Sequence, residues 1–248
     1  MDCEKAVLFL KRQAPTIMLI WVFSLLLSYP DRNIVQITIG IIFAQFWSYF
    51  THRLGHEMPT EGLLGMINTH WNFHHQESKL LPRWFELCIE AYTDMGLNMS
   101  LLYLQLFSNI MFVPLSVLIF NALIYTSTHI VNYSNFGSSI HKKHHLNHKT
   151  NFGPDTWDHI FSSSEDGEVE DMTLICINAV VAFCIVYTMK KWIGWTDWLP
   201  IAACWLLPAF LINSLILFEH AHKGLSCLRL ICYFLFCIRH FALLANFI

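Results

Sequence analysis

The sequence predicts an all-α, multi-pass transmembrane helical bundle, on three observations. Hydrophobic residues make up 55% of the 248-residue chain, charged residues only 13%, and mean hydropathy is +0.44. That charged share is about half of what a soluble domain carries. The apolar residues are also bunched into runs of about 15 to 21, long enough to cross a hydrocarbon core.

In order, the runs cover residues 15–29, 34–51, 95–107, 111–128, 172–189, 198–218 and 228–248. The first and third are short, and fit tilted pairs or re-entrant hairpins as well as full spans. Pro30 and Asp31 break the chain after the first run, since proline has no N–H to give a helix, and Lys190, Lys191 and Gly194 mark a later turn. Residues 162–171 are acidic and read as a solvated linker. Three segments result: 1–33 with the first membrane helix, a central core over 34–163, and a C-terminal linker with hydrophobic helices over 164–248. Residues 1–12 are mixed in charge without a small-residue cleavage site, so no cleaved signal peptide is expected.

Charge sets an expected orientation. If the first four runs form two hairpins, one face holds Lys5, Lys11, Arg12, Arg53, Lys79, Arg83, Lys142, Lys143, Lys149, Lys223 and Arg229, and the other only Arg32, Lys190 and Lys191. Eleven against three places the first face in the cytosol. The net charge of −3 comes with no basic stripe, and no nucleic-acid partner is expected. The eight cysteines, Cys3, Cys88, Cys176, Cys184, Cys204, Cys227, Cys232 and Cys237, form no CxxC pair and read as reduced packing residues.

Most of the fourteen histidines fall in the segments assigned to the cytosolic face. His52 and His56, off the end of the second run, share one helical face at i, i+4. His70, His74 and His75 form a second cluster, His141, His144 and His145 a third, and His129 stands alone at the end of the fourth run. A single histidine at a membrane boundary is ordinarily interfacial; three clusters of regular spacing on one face point to metal. Imidazole suits iron, zinc, copper and nickel alike, so the ligand type does not select the ion. A zinc protease also uses histidines at i, i+4, but needs a glutamate directly after the first. Here that place is Arg53, and the pair His56-Glu57 has Thr60 where the second ligand belongs. The protease reading fails.

The three boxes, HX3H, HX3HH and HX2HH, resemble those of the membrane fatty acid hydroxylase and sterol desaturase superfamily. The stretch from Asn151 through Trp157 and Asp158 to Phe161 is similar to that family's closing NYG…WD..F motif, which the separate acyl desaturase family lacks. The resemblance covers about residues 34–163. It implies a cytosol-facing pair of iron ions (zinc replacing iron in purified protein), dioxygen as oxidant, and a lipid such as a fatty acyl chain or sterol as the substrate hydroxylated or desaturated. It carries a ligand role onto His52, His56, His70, His74, His75, His129, His141, His144 and His145. Asn151, Trp157 and Asp158 are expected behind those ligands, Asp158 either bonding to an imidazole or serving as a plain cap.

The chain departs from the family pattern in three places. The second box has three intervening residues instead of two, the stretch from His129 to His141 is short, and Tyr133 stands where some relatives carry another histidine. The ligand count therefore stays open, with His148 or Asn132 available to complete it. His159 reads as a neighbour or surface residue, His220 and His222 lie near the same predicted face, and His240 reads as interfacial.

Two other readings remain. One is an acyl-chain desaturase, favoured by the second box. The other is a histidine-lined metal transporter or sensor, which would place ionisable residues within the spans, where the runs hold few. The chain has no Gly-x-Gly-x-x-Gly turn, no His-Pro-Gly-Gly segment and no cysteines spaced for an iron–sulfur cluster. An external donor, of cytochrome b or ferredoxin type with its reductase, is thus expected at Lys142, Lys143 and Lys149. The expected location is the endoplasmic reticulum membrane.

Overall fold

A computed structural model describes residues 3–29, 31–62, 68, 70–75, 82–108, 110–135, 138–172 and 175–193. The chain divides into two compact units, Met1–Glu57 with His70–Trp195, and Met58–Thr69 with Thr196–Ile248. Of the second, only residues 58–62 and 68 are described, and none is a histidine. The expected helices at 198–218 and 228–248, with His220, His222 and His240, lie outside the described residues.

Among the described residues the fold is wholly helical. The long helices are α1 (Cys3–Ser28), α2 (Ile34–Glu57), α3 (Arg83–Ser108), α4 (Leu115–Ser127) and α7 (Ile175–Ile193). Between them lie the short α5 (Ser139–Leu146) and α6 (Asp155–Ile160), and π-helical turns at Trp71–His75 and Thr128–Asn135. Stretches of α1, α2 and α7, Val7–Ser28, Ile34–Glu57 and Ile175–Trp192, are long and apolar enough to span a membrane, and Leu115–Val131 is a shorter apolar helix.

The helices extend beyond the hydrophobic runs. The run at 95–107 is only the second half of α3, which begins at Arg83. Hydropathy missed its first half because Glu86, Glu90 and Asp94 punctuate it, yet all three are buried. Buried carboxylates need partners: Glu86 lies 3.6 Å from Arg83, and Glu90 and Asp94 belong to the site described below.

Van der Waals contact and a buried polar string hold α2, α3 and α4 together. Phe120, Val117, Leu118 and Leu101 are almost wholly enclosed. Asn121 on α4 accepts from the Gln45 amide and donates to Ser48 Oγ (3.0 Å) and Asn98 Oδ1 (3.2 Å). Such a string is stabilising within an apolar bundle because each amide is satisfied. Residues 162–171 are not a solvated linker: Arg12 donates to Val169 O (2.6 Å), Gln13 to Glu170 O (3.0 Å), and Lys143 pairs with Glu168 (2.6 Å). Their charges look composed for solvent but find cations and amides on α1 and α5.

Candidate metal centre

Helix α2 delivers His52 and His56 from adjacent turns of its last stretch. His70 packs against that face at Gly55, where an added Cβ would meet the His70 ring at 3.3 Å, so glycine permits the approach. The π-helical turn Trp71–His75 then carries His74 and His75. Its wider winding, with one more residue per hydrogen-bonded ring, is common at functional sites. A second π-helical turn continues α4 and carries His129. Ser138 caps α5, accepting from the His141 amide (3.3 Å), and that helix presents His141, His144 and His145.

These rings meet through one kind of atom. The Nε2–Nε2 separations are 3.2 Å for His52–His144, 3.1 Å for His56–His70, 3.2 Å for His70–His75, 2.8 Å for His74–His129 and 2.9 Å for His141–His145. Three overlapping groups result, His52, His56, His70, His75 and His144; His74, His129 and His141; and His74, His75 and His145. Within each group the ligand atoms lie within 4.8 Å of one another. All nine histidines singled out in the sequence belong to these groups.

The outer nitrogens show what these rings are suited to hold. His144 Nδ1 donates to Thr150 O (2.6 Å), and His74 Nδ1 donates to Glu90 Oε1 (2.9 Å). His52 Nδ1 lies 2.8 Å from the Tyr125 hydroxyl. A carbonyl or carboxylate partner places the proton on Nδ1 and turns the Nε2 lone pair inward. Lone pairs facing each other at about 3 Å repel unless a cation lies between them, and two nitrogens about 2.1 Å from one ion at right angles are about 3 Å apart. The donor set fits metal. Burial, followed by neighbouring rings, holds His70, His74 and His141 well below the ordinary imidazole range. Burial lowers His144 to about 4, against the opposing bond to Thr150. The rings are therefore neutral near pH 7, the form that binds metal.

The model of the fatty acid hydroxylase family matches residues 37–163. The chain belongs to the fatty acid hydroxylase family. No curated protein and no solved structure matches it. Membership makes the chain an oxidoreductase of the lipid hydroxylase or desaturase type, with a histidine cluster able to bind metal.

In this member of the family the closing motif works at one remove from the imidazoles. Asp158 accepts from the amides of Phe152 (3.0 Å) and Gly153 (2.6 Å) and from Ser163 Oγ (2.7 Å). It pins a loop whose Phe152 ring lies 5.9, 5.6 and 5.8 Å from those of His52, His56 and His144. Asn151 sits at positive φ (55°) in that loop, its Oδ1 accepting from the Glu165 amide (2.9 Å). Trp157 stacks on Phe161 and meets Phe46 edge to face, instead of packing on a histidine. His148 is at the rim, its ring 4.7 Å from that of His75, and belongs to none of the three groups. His159 lies apart, against Phe9 and Asp155.

Sequence reasoning passed over two site residues. Glu90 and Asp94, only 3% and 1% exposed, lie at i, i+4 on α3 and form a further group with His129. Glu90 bonds to His74, and Asp94 Oδ2 lies 3.9 Å from His129 Nδ1. The available signal was two carboxylates on one face of a helix that enters an apolar run.

A small cavity of about 50 Å³ touches the cluster, and its walls include His52, His129, His141, Tyr125, Asn151 and Phe152.

Proposed function

We propose that this fatty acid hydroxylase holds two iron ions between His52, His56, His70, His74, His75, His129, His141, His144 and His145, and uses dioxygen to hydroxylate the hydrocarbon of a lipid. One observation carries the reading: these nine side chains, drawn from four separate stretches of chain, converge in overlapping groups through ring nitrogens. Bound there, the iron pair supplies reductive activation of dioxygen for attack on an unactivated C–H bond.

The chain's own residues bind, orient and exclude. Glu90 and the Thr150 carbonyl fix the proton on the outer nitrogens of His74 and His144, leaving the inner lone pairs available. Phe152, held by Asp158, covers one side of the cluster and keeps water off it. The cavity beyond His52, His129 and His141 takes the carbon to be oxidised. In balance, the substrate R–H, one dioxygen, two electrons and two protons yield R–OH and one water. Removal of a second hydrogen instead yields an alkene and two waters from the same inputs. Hydroxylation is the outcome proposed, and the matched family, which covers lipid hydroxylases and desaturases, allows both. On this reading 34–163 is the catalytic core, and the site faces the cytosol from the endoplasmic reticulum membrane.

The test joins metal analysis to lipid mass spectrometry. Active protein should carry two metal ions per chain, iron among them, and cells expressing it should accumulate a lipid with one added oxygen atom. His144→Ala with His145→Ala should abolish that product, since each opens a coordination position. Unchanged product in the double variant, or one metal or none in active protein, overturns the reading.

A further inference from the structure

The reaction proposed above consumes two protons per turnover, and a proton donor must stand within hydrogen-bond reach of the reacting atoms, or one water away. The cavity against the histidine cluster holds candidates. Besides His52, His129 and His141, its lining includes Asp155, Asp158 and Glu170. Carboxyls are foreign to a hollow that takes a hydrocarbon, because they lose hydration there and gain no partner from a methylene. Asp158 is committed to the amides of Phe152 and Gly153 and to the Ser163 hydroxyl. Glu170 accepts from the Ser138 hydroxyl. Asp155 is placed differently.

Its hydrogen bonds fall on one oxygen. Oδ2 accepts from Gln13 Nε2 (2.9 Å) and from the Glu170 amide (3.2 Å), which occupies both lone pairs of that atom. Among the described residues no donor meets Oδ1, and that atom is not sealed within the protein. A proton bound to Asp155 therefore sits on Oδ1. Burial, and then the Glu170 charge, raise this carboxyl to about 7, so both of its forms are populated near neutral pH. One turn along α6 stands His159, whose Nε2 lies 3.7 Å from Asp155 Oδ2 and has no hydrogen-bond partner among the described residues. The His159 side chain is 14% exposed against 5% for Asp155, so the imidazole is the more open of the two to water. A ring movement of about 1 Å closes their gap to hydrogen-bond distance. Lys5 of α1 is the cation that acts on this pair, and Glu170 and Asp158 are the anions.

We propose that His159 and Asp155 carry protons from solvent into the histidine cavity. His159 takes a proton from water at Nε2 and passes it to the Asp155 carboxylate. Asp155 then releases a proton from Oδ1 into the cavity and returns to the carboxylate form. Each passage moves one proton and no electron, and two passages supply the two protons that accompany one dioxygen and two electrons from the external donor. This rests on the dioxygen-consuming reading above, but the protonation of Asp155 is measurable without turnover.

Two measurements on the full chain in detergent test this. In the zinc-loaded form, which has no redox chemistry, an infrared carboxylic-acid band should titrate near pH 7 and shift in deuterium oxide. Asp155→Asn should remove that band, and its amide oxygen still accepts from Gln13 and the Glu170 amide, so the fold is kept. The iron-loaded form is then reduced and mixed with dioxygen without lipid. Two ferrous ions give two electrons, and dioxygen with two protons leaves as hydrogen peroxide. Proton uptake, followed with an indicator dye, should slow about 100-fold in Asp155→Asn, the lower end of what a positioned proton donor contributes, with metal content unchanged. His159→Gln should slow it too, and added phosphate buffer should restore part of the rate in that variant but none in Asp155→Asn. A carboxyl band that persists in Asp155→Asn, or proton uptake at the parental rate in either variant, overturns the proposal. Protein that behaves as expected in both measurements yet makes no oxidised lipid fails the function reading alone; lipid oxidation at the parental rate in Asp155→Asn fails this proposal alone.

Discussion

Glu90 shows how much one side chain behind the imidazoles contributes. Its carboxylate accepts the Nδ1–H of His74, and His74 belongs to two of the three histidine groups. Losing a charged acceptor loosens the ring and lowers the basicity of its inner nitrogen; such changes cost about 10–100-fold in metal affinity. Glu90→Gln should therefore lose metal to a competing chelator at about one-tenth or less of the concentration that strips the parent, with helix content by circular dichroism unchanged. Equal retention in the two proteins would show that the Glu90–His74 bond is incidental. Asp94, with Oδ2 lacking a hydrogen bond and His129 3.9 Å away, is a looser neighbour. Gly55 illustrates the opposite economy, since its contribution is the missing side chain that admits His70.

At the scale of elements, the short helix α6 and the residues after it join α1 to the site loop. Asp155, at the start of α6, accepts from Gln13 Nε2 (2.9 Å) and from the Glu170 amide (3.2 Å). Burial, and then the nearby Glu170 charge, raise its carboxyl to about 7. An unfolded aspartate titrates near 3.9. Between those values the folded chain binds the extra proton, so stability attributed to this group is complete below about pH 3.9 and is lost as pH rises through about 7. Thermal unfolding at pH 6 and pH 8 tests this. Asp155→Asn, which cannot ionise, should gain most at the higher pH and narrow the gap between the two; an unchanged gap would remove Asp155 as its source. The same elements revise the docking patch expected at the third box. Lys143 pairs with Glu168 and Asp166 inside the chain, leaving Lys142 and Lys149 exposed.

At the scale of the molecule, the reaction proposed needs two electrons per turnover from outside the substrate. The sequence offers no dinucleotide turn and no iron–sulfur spacing. Purified protein given lipid, dioxygen and NAD(P)H should thus be inactive, and a reductase with a cytochrome b or ferredoxin carrier should restore turnover. With Lys143 occupied, salt should weaken that docking only modestly, by screening Lys142 and Lys149. Sustained turnover from NAD(P)H without a carrier would refute the external-donor reading and mean that the chain collects electrons itself.

Much was legible in the sequence by itself. Apolar run length selects a membrane bundle because a hydrocarbon core has one thickness, and His52 and His56 share a face because helical periodicity is local. The boxes likewise named the nine histidines that the fold collects. What only the tertiary structure decided are pairings between distant segments, which neither period nor spacing encodes. Packing brought Glu90 to His129 across a separation of 39 residues, and Asp158 turned to backbone amides beside it instead of an imidazole. His52, Tyr125 and His141 wall one cavity only because α2, α4 and α5 pack together. A buried charge or a cavity is defined by whatever surrounds it, and those surroundings are assembled only when the helices pack.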